Sequence, residues 1–354
     1  MEFKLKRIKL TGLIVFLFLI STLAACSGGK ETGGSSKSGD TDSGKSGNSK
    51  SITIRMAGAQ APENPMYKAA MSFVEEVGKN SNGKIKGEAH FGGVLGGERE
   101  TAEAVQLGNI EMGWISDIGL STVVPEIGFA FLPYLVTNYD ELETKYYNGW
   151  IGEEVTKRLA AKNLQVLGFM DNDARWLSNS DKPIKNPEDL KNMTIRVPEI
   201  PELVQFFKEL GALPTNMAIT EVITALQQGT VDGQDNGAIL NYTMGFYEFQ
   251  PYMTNTNHVF SGGAVVVNKE WWDSLSSEDQ NMIGESVKKW VKEGNKGIRE
   301  NVKNFTQKMK DSGVEITEPS EQLKKAMQKA GRKVWDNQKN YDRYGEEVMK
   351  KILE

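Results

Sequence analysis

The stretch NMTIRVPEIPE, residues 192–202, places an arginine inside a short apolar run. Apolar residues flank Arg196, and the prolines that follow predict a strand that enters a tight turn. A half-buried guanidinium in such a strand needs an anion, because an unpaired buried charge is costly. The sequence leaves two candidates for that anion: a structural carboxylate, Glu199 or Glu202, and a bound ligand.

Strand-like and helix-like patterns alternate on both sides of this stretch. Apolar residues at helical spacing separate the segments that predict strands, and the rhythm restarts at residue 163. This β-α-β order predicts mostly parallel sheets covered by helices. In the N-terminal half the predicted strands are SITIRMAG (51–58), GKIKGEAHF (83–91) and NIEMGWIS (109–116).

Residues 277–310 carry a sparse apolar stripe among charged and polar residues, which predicts a helix. A continuous helix of that length would extend about 50 Å, at 1.5 Å per residue. Because this exceeds the diameter of a small domain, we expect it to brace two domains unless Gly294 and Gly297 break it. Two α/β lobes joined by crossovers would form a ligand clamp that closes by a hinge.

The first 25 residues have the features of a signal peptide. Four basic residues precede the apolar segment LIVFLFLI (13–20), which is too short to span a membrane comfortably. LAAC (23–26) follows and resembles a bacterial lipobox, which implies cleavage before Cys26 and lipidation of its thiol. An ordinary signal peptide with a chance cysteine is the alternative. Since Cys26 is the only cysteine, the chain has no intrachain disulfide and no thiolate metal cluster.

Residues 26–50 follow as a predicted flexible linker between the lipid anchor and a soluble part. Fourteen of the 24 residues in 27–50 are glycine or serine, and such a segment lacks the apolar surface needed to order itself. Without residues 1–25, which carry four basic groups and one acidic group, the formal net charge falls from −5 to −8. An acidic balance of this size argues against nucleic acid as a partner.

Several separated motifs resemble one family, the DctP-like solute-binding proteins of tripartite ATP-independent periplasmic (TRAP) transporters. The resemblance covers about residues 51–330. It rests on FGGVLGGERETAEAVQLGNIEMGWIS (91–116), on residues 183–236 around the IRVP segment, on FYEFQPYM (246–253) and on NKEWWDSL (268–275).

The resemblance implies an α/β, two-lobed fold like that of periplasmic binding proteins (a Venus flytrap), with a long helix bridging both lobes. It places lobe I at residues 51–173 plus about 262–301. Lobe II would comprise residues 174–261 plus about 302–354. The ligand would lie in the cleft between them.

The same resemblance assigns candidate ligand-binding residues in the second half of the chain. Arg196 matches the family arginine that forms a two-pronged salt bridge with the ligand carboxylate. Asn236 matches the cleft asparagine, although a turn residue before a glycine is the alternative. Gln234 comes from the same loop. Arg175 matches a second family arginine near the crossover into lobe II.

Four further candidates flank the predicted cleft. Glu98 opens a predicted helix, where an acid also interacts well with the helix macrodipole, and family members place an acid there to receive ligand hydroxyls. Ser116 and Asp117 follow the third strand at another cleft-facing family position. Trp176 is a candidate wall of the site, though large aromatic residues more often belong to a core.

The sequence therefore predicts a binding protein and not an enzyme. It has two histidines and no H-E-x-x-H, G-x-S-x-G, phosphate-loop or G-x-G-x-x-G motif. A carboxylate pair for glycoside cleavage stays open on spacing alone, but no motif indicates one. We expect no cofactor and no metal.

The predicted function is the capture of an organic acid, with a sugar acid (uronate or aldonate) favoured, and its delivery to the small and large TRAP permease subunits. A C4-dicarboxylate or a keto acid is the alternative ligand, and a sensory, ligand-presenting lipoprotein is the alternative role. We expect a monomer held by its lipid on the outer face of the cell membrane. A Gram-positive surface is favoured, and the periplasmic side applies if the source is Gram-negative.

Overall fold

The computed structural model describes residues 51–354. The predicted signal peptide, the lipidation site Cys26 and the linker 26–50 lie outside the described residues. None of the helices in the described part of the chain is long and apolar enough to cross a membrane.

Strands and helices alternate through most of the described chain. The strands are β1 Ile52–Ala57, β2 Ile85–His90, β3 Met112–Ser116, β4 Leu164–Ala174, β5 Trp176–Asn179, β6 Thr194–Val197, β7 Leu213–Asn216, β8 Gly233–Asn236, β9 Tyr252–Thr254, β10 Phe260–Asn268 and β11 Glu315–Thr317. The helices are α1 Pro65–Asn80, α2 Glu98–Gln106, α3 Asp117–Val123, α4 Tyr139–Glu141, α5 Trp150–Ala160, α6 Pro201–Glu209, α7 Val222–Gln228, α8 Ala238–Thr243, α9 Lys269–Asp273, α10 Ser277–Asp311, α11 Glu321–Trp335, α12 Gln338–Tyr344 and α13 Glu346–Leu353.

The strands form two sheets, as the two-lobed α/β prediction requires. The first sheet has the order β2-β1-β3-β10-β4, in which β1 pairs in parallel with β2 and β3, and β10 pairs antiparallel with β3 and β4. The second sheet has the order β11-β9-β5-β8-β6-β7, in which β6 pairs in parallel with β7 and β8. The carboxyl ends of parallel strands lie at one edge of each sheet, where ligands bind in open α/β folds.

The chain crosses between the sheets at three places. Strand β4 ends at Ala174 and β5 begins at Trp176, so a single residue, Arg175, separates the two sheets along the chain. The return connection runs from β9 to β10. The third crossing follows α10, which leads from β10 in the first sheet to β11 in the second.

The predicted long helix is α10, and neither of its internal glycines breaks it. A Cβ atom at Gly294 would lie 2.8 Å from the sulfur of Met170, and one at Gly297 would lie 2.8 Å from Cβ of Pro65. The glycines therefore allow α10 to pack closely against β4 and α1. Near its C-terminal end, Met309 packs with residues of the second sheet's core, so α10 spans both parts of the fold.

The last helices connect elements that lie far apart in the sequence. Helix α11 packs on α6, and the Tyr344 hydroxyl at the end of α12 donates to Oε1 of Glu202 at 2.5 Å. Arg343 also contacts Glu202. The carbonyl of Tyr344 accepts a hydrogen bond of 2.7 Å from Nη2 of Arg158 in α5. These contacts do not test the predicted lobe boundaries, which stay a prediction.

Candidate functional site

A cavity lies between the two sheets, and residues that follow strands of both sheets line it. The wall that follows strands of the first sheet, which we call the first-sheet wall, comprises Ala59, Gln60, Glu98, Ile118 and Asn172. The wall on the other side, the second-sheet wall, comprises Arg175, Arg196, Pro198, Ile219, Asn236, Leu240 and Met244. A second, smaller cavity adjoins it beside Glu98 and Arg196.

Arg196 lies on the cavity wall in the middle of β6, and its side chain is almost completely buried. Its Nε and Nη2 atoms both donate to the carbonyl oxygen of Met217, at 3.1 and 2.8 Å. Neither predicted structural carboxylate pairs with Arg196. Glu202 binds Arg343 and Tyr344. Glu199 forms its salt bridge with Arg99, at 4.0 Å.

Among residues 51–354, no carboxylate forms a salt bridge with Arg196, and its hydrogen bonds go only to the carbonyl oxygen of Met217. Burial lowers the pKa of Arg196 to about 10, which still leaves the guanidinium protonated at neutral pH. The site therefore holds a buried cation with hydrogen-bonding capacity toward the cavity. An anion is the natural partner for such a group.

Arg175 also lines the cavity, but its charge is paired. Its Nε donates to Oδ2 of Asp235 at 2.7 Å, and its Nη2 donates to the carbonyl of the same residue. His258 contacts the same carboxylate oxygen through Nε2 at 3.3 Å. Burial opposes ionisation of Asp235, but the charge of Arg175 and the hydrogen bond to His258 outweigh it and lower the pKa of Asp235.

Asn236 lines the cavity at the end of β8 and belongs to a buried amide network. Its Nδ2 donates to Oε1 of Gln234 at 2.6 Å. Nε2 of Gln234 in turn donates to Ser178 and Asn241, at 2.7 Å each. The hydrogen bonds of Gln234, which was predicted as a ligand contact, are thus made inside the protein, and the residue does not line this cavity. Its contacts instead fix the orientation of Asn236.

Glu98 lines the cavity at the first position of α2. Its two carboxylate oxygens accept from Ser116, at 3.1 Å from the backbone nitrogen and at 2.6 Å from Oγ. The Ser116 hydroxyl also caps α3 by accepting from Gly119 at 3.0 Å. Ser116 therefore lies behind Glu98 rather than on the cavity wall, and it holds the carboxylate in place.

Asp117 and Trp176 were predicted as ligand contacts, and the structure places both outside the lining of this cavity. The carboxylate of Asp117 accepts from the backbone nitrogens of Ile118 and Gly262, at 2.8 and 3.0 Å, and burial raises its pKa to about 7. Trp176 donates from Nε1 to Asn257 at 2.9 Å, and its ring is packed in the second sheet's core.

Several lining residues were missed by sequence reasoning, notably Gln60 and Asn172. Gln60 follows the end of β1, and Asn172 lies near the end of β4. Their positions at strand ends could have indicated the site, because the carboxyl ends of parallel strands meet at one edge of a sheet. Within residues 51–354 no group of three or more His, Cys, Asp or Glu side chains is placed to hold a metal ion.

Comparison with known proteins gives a consistent result over most of the chain. The family model DctP, described as bacterial extracellular solute-binding protein, family 7, matches residues 56–341. A solute-binding protein of Verminephrobacter eiseniae is 34% identical over 240 residues, which are 68% of this chain and 71% of the relative. The C4-dicarboxylate-binding protein DctB of Bacillus subtilis is 29% identical over 306 residues, 86% of each chain.

Solved structures show the same similarity. The sugar acid binding protein DctPAm of Advenella mimigardefordensis, in complex with galactonate, superimposes with a TM-score of 0.81 and 28% sequence identity. The match covers 86% of this chain and 97% of that structure. The two-lobed arrangement predicted from the sequence is confirmed by this similarity.

Proposed function

This chain belongs to the DctP family, bacterial extracellular solute-binding proteins of family 7, and from that membership we propose that it captures an organic acid for a TRAP transporter. The single observation that carries the ligand class is Arg196, a buried guanidinium on the cavity wall with no salt bridge to any described residue. The planar fork of arginine fits a carboxylate through two parallel hydrogen bonds. The ligand carboxylate then supplies the anionic partner that Arg196 lacks within residues 51–354.

The charges around the cavity favour one carboxylate over two. Arg175 is neutralised by Asp235, so Arg196 is the cation left for the ligand. Glu98 faces the same cavity with a carboxylate that accepts from Ser116. A second ligand carboxylate near Glu98 would be repelled, whereas a hydroxyl can donate to it. We therefore propose a sugar acid, a uronate or aldonate, as the ligand class, in line with the galactonate complex of the similar structure.

A C4-dicarboxylate or a keto acid is the second candidate, favoured by the name of the Bacillus subtilis relative. The role proposed for Arg196, as the partner of one ligand carboxylate, applies to either ligand class. A sensory role, in which the closed protein presents its ligand to a membrane receptor, uses the same site and is distinguished by the partner rather than by the cavity.

We also propose a cellular location and membrane partners for the protein. The protein acts outside the cytoplasm as a monomer that is lipidated at Cys26 and held at the outer face of a membrane. It passes its ligand to the small and large subunits of the permease. Mass spectrometry of the membrane-associated protein tests the anchor, with a diacylated cysteine at the new N-terminus as the expected result and an unmodified or internal Cys26 as the contrary one.

The function is tested by thermal shift of the purified protein against uronates, aldonates, C4-dicarboxylates, keto acids and amino acids. A ligand that binds only the folded state raises Tm by mass action. At a free ligand concentration of 100 times Kd, the free energy of unfolding rises by about 2.7 kcal/mol. We expect a shift with one or more sugar acids. A shift with succinate or malate alone would move the ligand to the second candidate class, and no shift with any acid would contradict the proposed function.

Replacing Glu98 by glutamine is expected to change the ligand preference. The variant keeps a carbonyl oxygen for Ser116 but loses the charge that repels a second carboxylate. Sugar-acid affinity should fall by about tenfold or less, the usual value of one hydrogen bond, while succinate affinity should rise. Calorimetric titration of both ligands measures the ratio.

The matched control is Glu103→Gln, an exposed position on the same helix. It should leave both affinities unchanged. An unchanged ratio in Glu98→Gln, with normal binding of both ligands, would remove Glu98 from the recognition of ligand hydroxyls.

A further inference from the structure

The end of strand β4 carries a β-bulge directly before the crossover between the sheets. The bulge sets two residues, Asn172 and Asp173, opposite the single residue Ser261 of β10. Asp173 has a φ of 71°, in the left-handed region, which aspartate adopts more readily than most residues but which is uncommon outside glycine. Such a backbone persists only where the surrounding contacts fix it. The two side chains of the bulge differ in environment, because that of Asn172 lines the cavity and that of Asp173 is buried.

The carboxylate of Asp173 accepts hydrogen bonds from three elements of the fold. Its Oδ1 accepts from the backbone nitrogen of Ala174 at 2.8 Å and from the Tyr139 hydroxyl at 3.3 Å, and its Oδ2 accepts from the backbone nitrogen of Ile239 at 2.9 Å. A Cβ atom at Gly237 would lie 2.4 Å from Oδ2, so the backbone before α8 lies directly against the carboxylate. Burial raises the pKa of Asp173 to about 6, which leaves the group ionised at neutral pH. Hydrogen bonds to an ionised acceptor are stronger than those between neutral groups.

The bond from Ile239 to Asp173 joins the two sides of the cavity. Strand β4 belongs to the first sheet, whereas α8 follows β8 of the second sheet. Helix α8 carries Leu240 of the second-sheet wall and begins two residues after Asn236 of the same wall. Ile239 itself packs in one core cluster with Met170 of β4. The position of α8 relative to β4 therefore decides where Leu240 and Asn236 lie relative to the first-sheet wall.

The two sides of the cavity also contact each other at its mouth. A Cβ atom at Gly93, in the loop before α2, would lie 3.0 Å from Cγ2 of Thr220, which follows β7. Nη1 of Arg99 in α2 lies 4.0 Å from the carboxylate of Glu199, which follows β6. The structure therefore shows a closed arrangement of the two-lobed clamp, and the contact of Asp173 with α8 is part of that arrangement.

We propose that Asp173 is a positioning residue for ligand capture: its carboxylate binds the first turn of α8 when the two walls close, and this bond stabilises the closed, ligand-bound state. The inference rests on the proposed function and assigns the effect to a residue that does not line the cavity. A contact changes ligand affinity only if it differs between the open and closed states, so the bond from Ile239 must break when the cleft opens. Every ligand that requires closure then gains equally from it, whatever its chemical class.

Asp173→Asn tests this role with almost no change in shape. Asparagine tolerates the left-handed conformation and keeps one oxygen for Ala174, but its amide nitrogen cannot accept from Ile239. The probes are D-galactonate, D-glucuronate and succinate. Affinity for each one that the wild type binds should fall by the same factor, about tenfold, as for one lost hydrogen bond to a charged group. Stopped-flow kinetics should show the loss mainly as faster dissociation.

A second variant and two controls accompany Asp173→Asn. Asp173→Gly removes the carboxylate altogether while glycine adopts the same φ freely, and it should lose the same affinity. Tyr139→Phe removes a bond to the same carboxylate from α4, which precedes the crossover, and should change affinity less than about threefold. Asp140→Asn, at an exposed position of α4, should bind like the wild type. Thermal unfolding without ligand verifies that each variant is folded.

Closure itself is measured as the distance between two spin labels. Lys79→Cys in α1 and Gln227→Cys in α7 place the labels at exposed positions on the two sides of the cavity, and Cys26→Ser removes the only native cysteine. With a saturating concentration of the tightest of the three acids, the protein with Asp173 should show one short distance. Asp173→Asn should keep a fraction at the longer, open distance, a result that a loss of local stability alone does not produce.

The outcomes separate this inference from the proposed function. Wild-type affinity in folded Asp173→Asn and Asp173→Gly, or complete closure of both at saturating ligand, would overturn the positioning role and leave the carboxylate-binding function intact. A loss confined to one of several bound acids would also overturn it, because the effect would then depend on the ligand. Binding of no organic acid by the wild type would overturn both.

Discussion

Replacing Arg196 by methionine is expected to remove most of the affinity for organic acids while the protein stays folded. Truncating one partner of a buried, hydrogen-bonded charge pair costs about 2–5 kcal/mol, which corresponds to about 30-fold to several thousandfold in Kd. The ligand carboxylate would enter the cavity and find no cation, because Arg175 is occupied by Asp235. Calorimetric titration with the tightest sugar acid measures the loss.

The stability of the Arg196→Met variant provides a separate result. In the absence of ligand the guanidinium is buried, has no salt bridge within residues 51–354, and donates to the carbonyl of Met217. Removing a buried charge that lacks an ionic partner relieves its desolvation, so Tm without ligand should stay the same or rise. A large drop in Tm would show that Arg196 is mainly structural.

Two further variants provide affinities for comparison with Arg196→Met. Arg196→Lys keeps the charge but loses the planar fork, so it should bind with intermediate affinity. Arg332→Met removes an exposed arginine of α11 and should bind normally. Wild-type affinity in Arg196→Met would contradict the anchor role directly.

Replacing Asp235 by alanine is expected to give the largest loss of stability, because it leaves the Arg175 guanidinium buried without a partner. Breaking a buried ion pair by removing one side costs about 3–5 kcal/mol. Arg175 and Asp235 are almost fully buried, and His258 shares the carboxylate. Denaturant unfolding at neutral pH measures the change, and the exposed pair Arg332–Asp336 provides the control through Asp336→Ala, which should cost less than about 1 kcal/mol.

The Asp235 effect should depend on pH in one direction. The pKa of Asp235 in the folded protein is lowered below its ordinary value of 3.8. A lowered pKa stabilises the fold above the ordinary value, and this contribution is lost as the pH falls through the folded-state pKa. The difference in stability between wild type and Asp235→Ala should therefore be constant at neutral pH and shrink below about pH 4.

Two results would contradict this account of Asp235. A stability difference that grows on acidification would show that the carboxylate is not the ionised partner of Arg175. A double variant, Arg175→Met with Asp235→Leu, should recover most of the lost stability, since well-packed apolar residues often replace a buried ion pair without loss. If the double variant does not regain stability, the loss in Asp235→Ala comes from packing rather than from the unpaired charge.

The fold was predictable from the sequence because its elements carry local signals. The β-α-β rhythm came from apolar spacing, and the stripe of residues 277–310 predicted α10 almost to its ends. The two glycines in that helix were the point of doubt. Their role emerged only from the structure, where Gly294 and Gly297 face β4 and α1 at distances that exclude a side chain.

The sequence predicted that Arg196 faces a cleft, and Arg196 lines the cavity, while its ligand role stays a prediction. The sequence could not tell Arg196 from Arg175, because the partner of Arg175 is Asp235, 60 residues further along the chain. It also could not tell how far along a strand the cavity begins. Gln234 and Asn236 lie two residues apart on β8, yet only Asn236 lines the cavity.

Gln60 and Asn172 were missed for a related reason. Glutamine and asparagine at strand ends are common in loops and turns, so their type carries little functional signal. Their place in the lining of the cavity depends on three-dimensional contacts that the sequence does not display.

A crystal structure of the protein with the sugar acid that gives the largest thermal shift tests the central claim most directly. We expect the ligand carboxylate between the two walls, with both oxygens within hydrogen-bond distance of the Arg196 guanidinium and the hydroxyls against the first-sheet wall. A carboxylate bound elsewhere in the cavity, with Arg196 still contacting only the carbonyl of Met217, would contradict the claim.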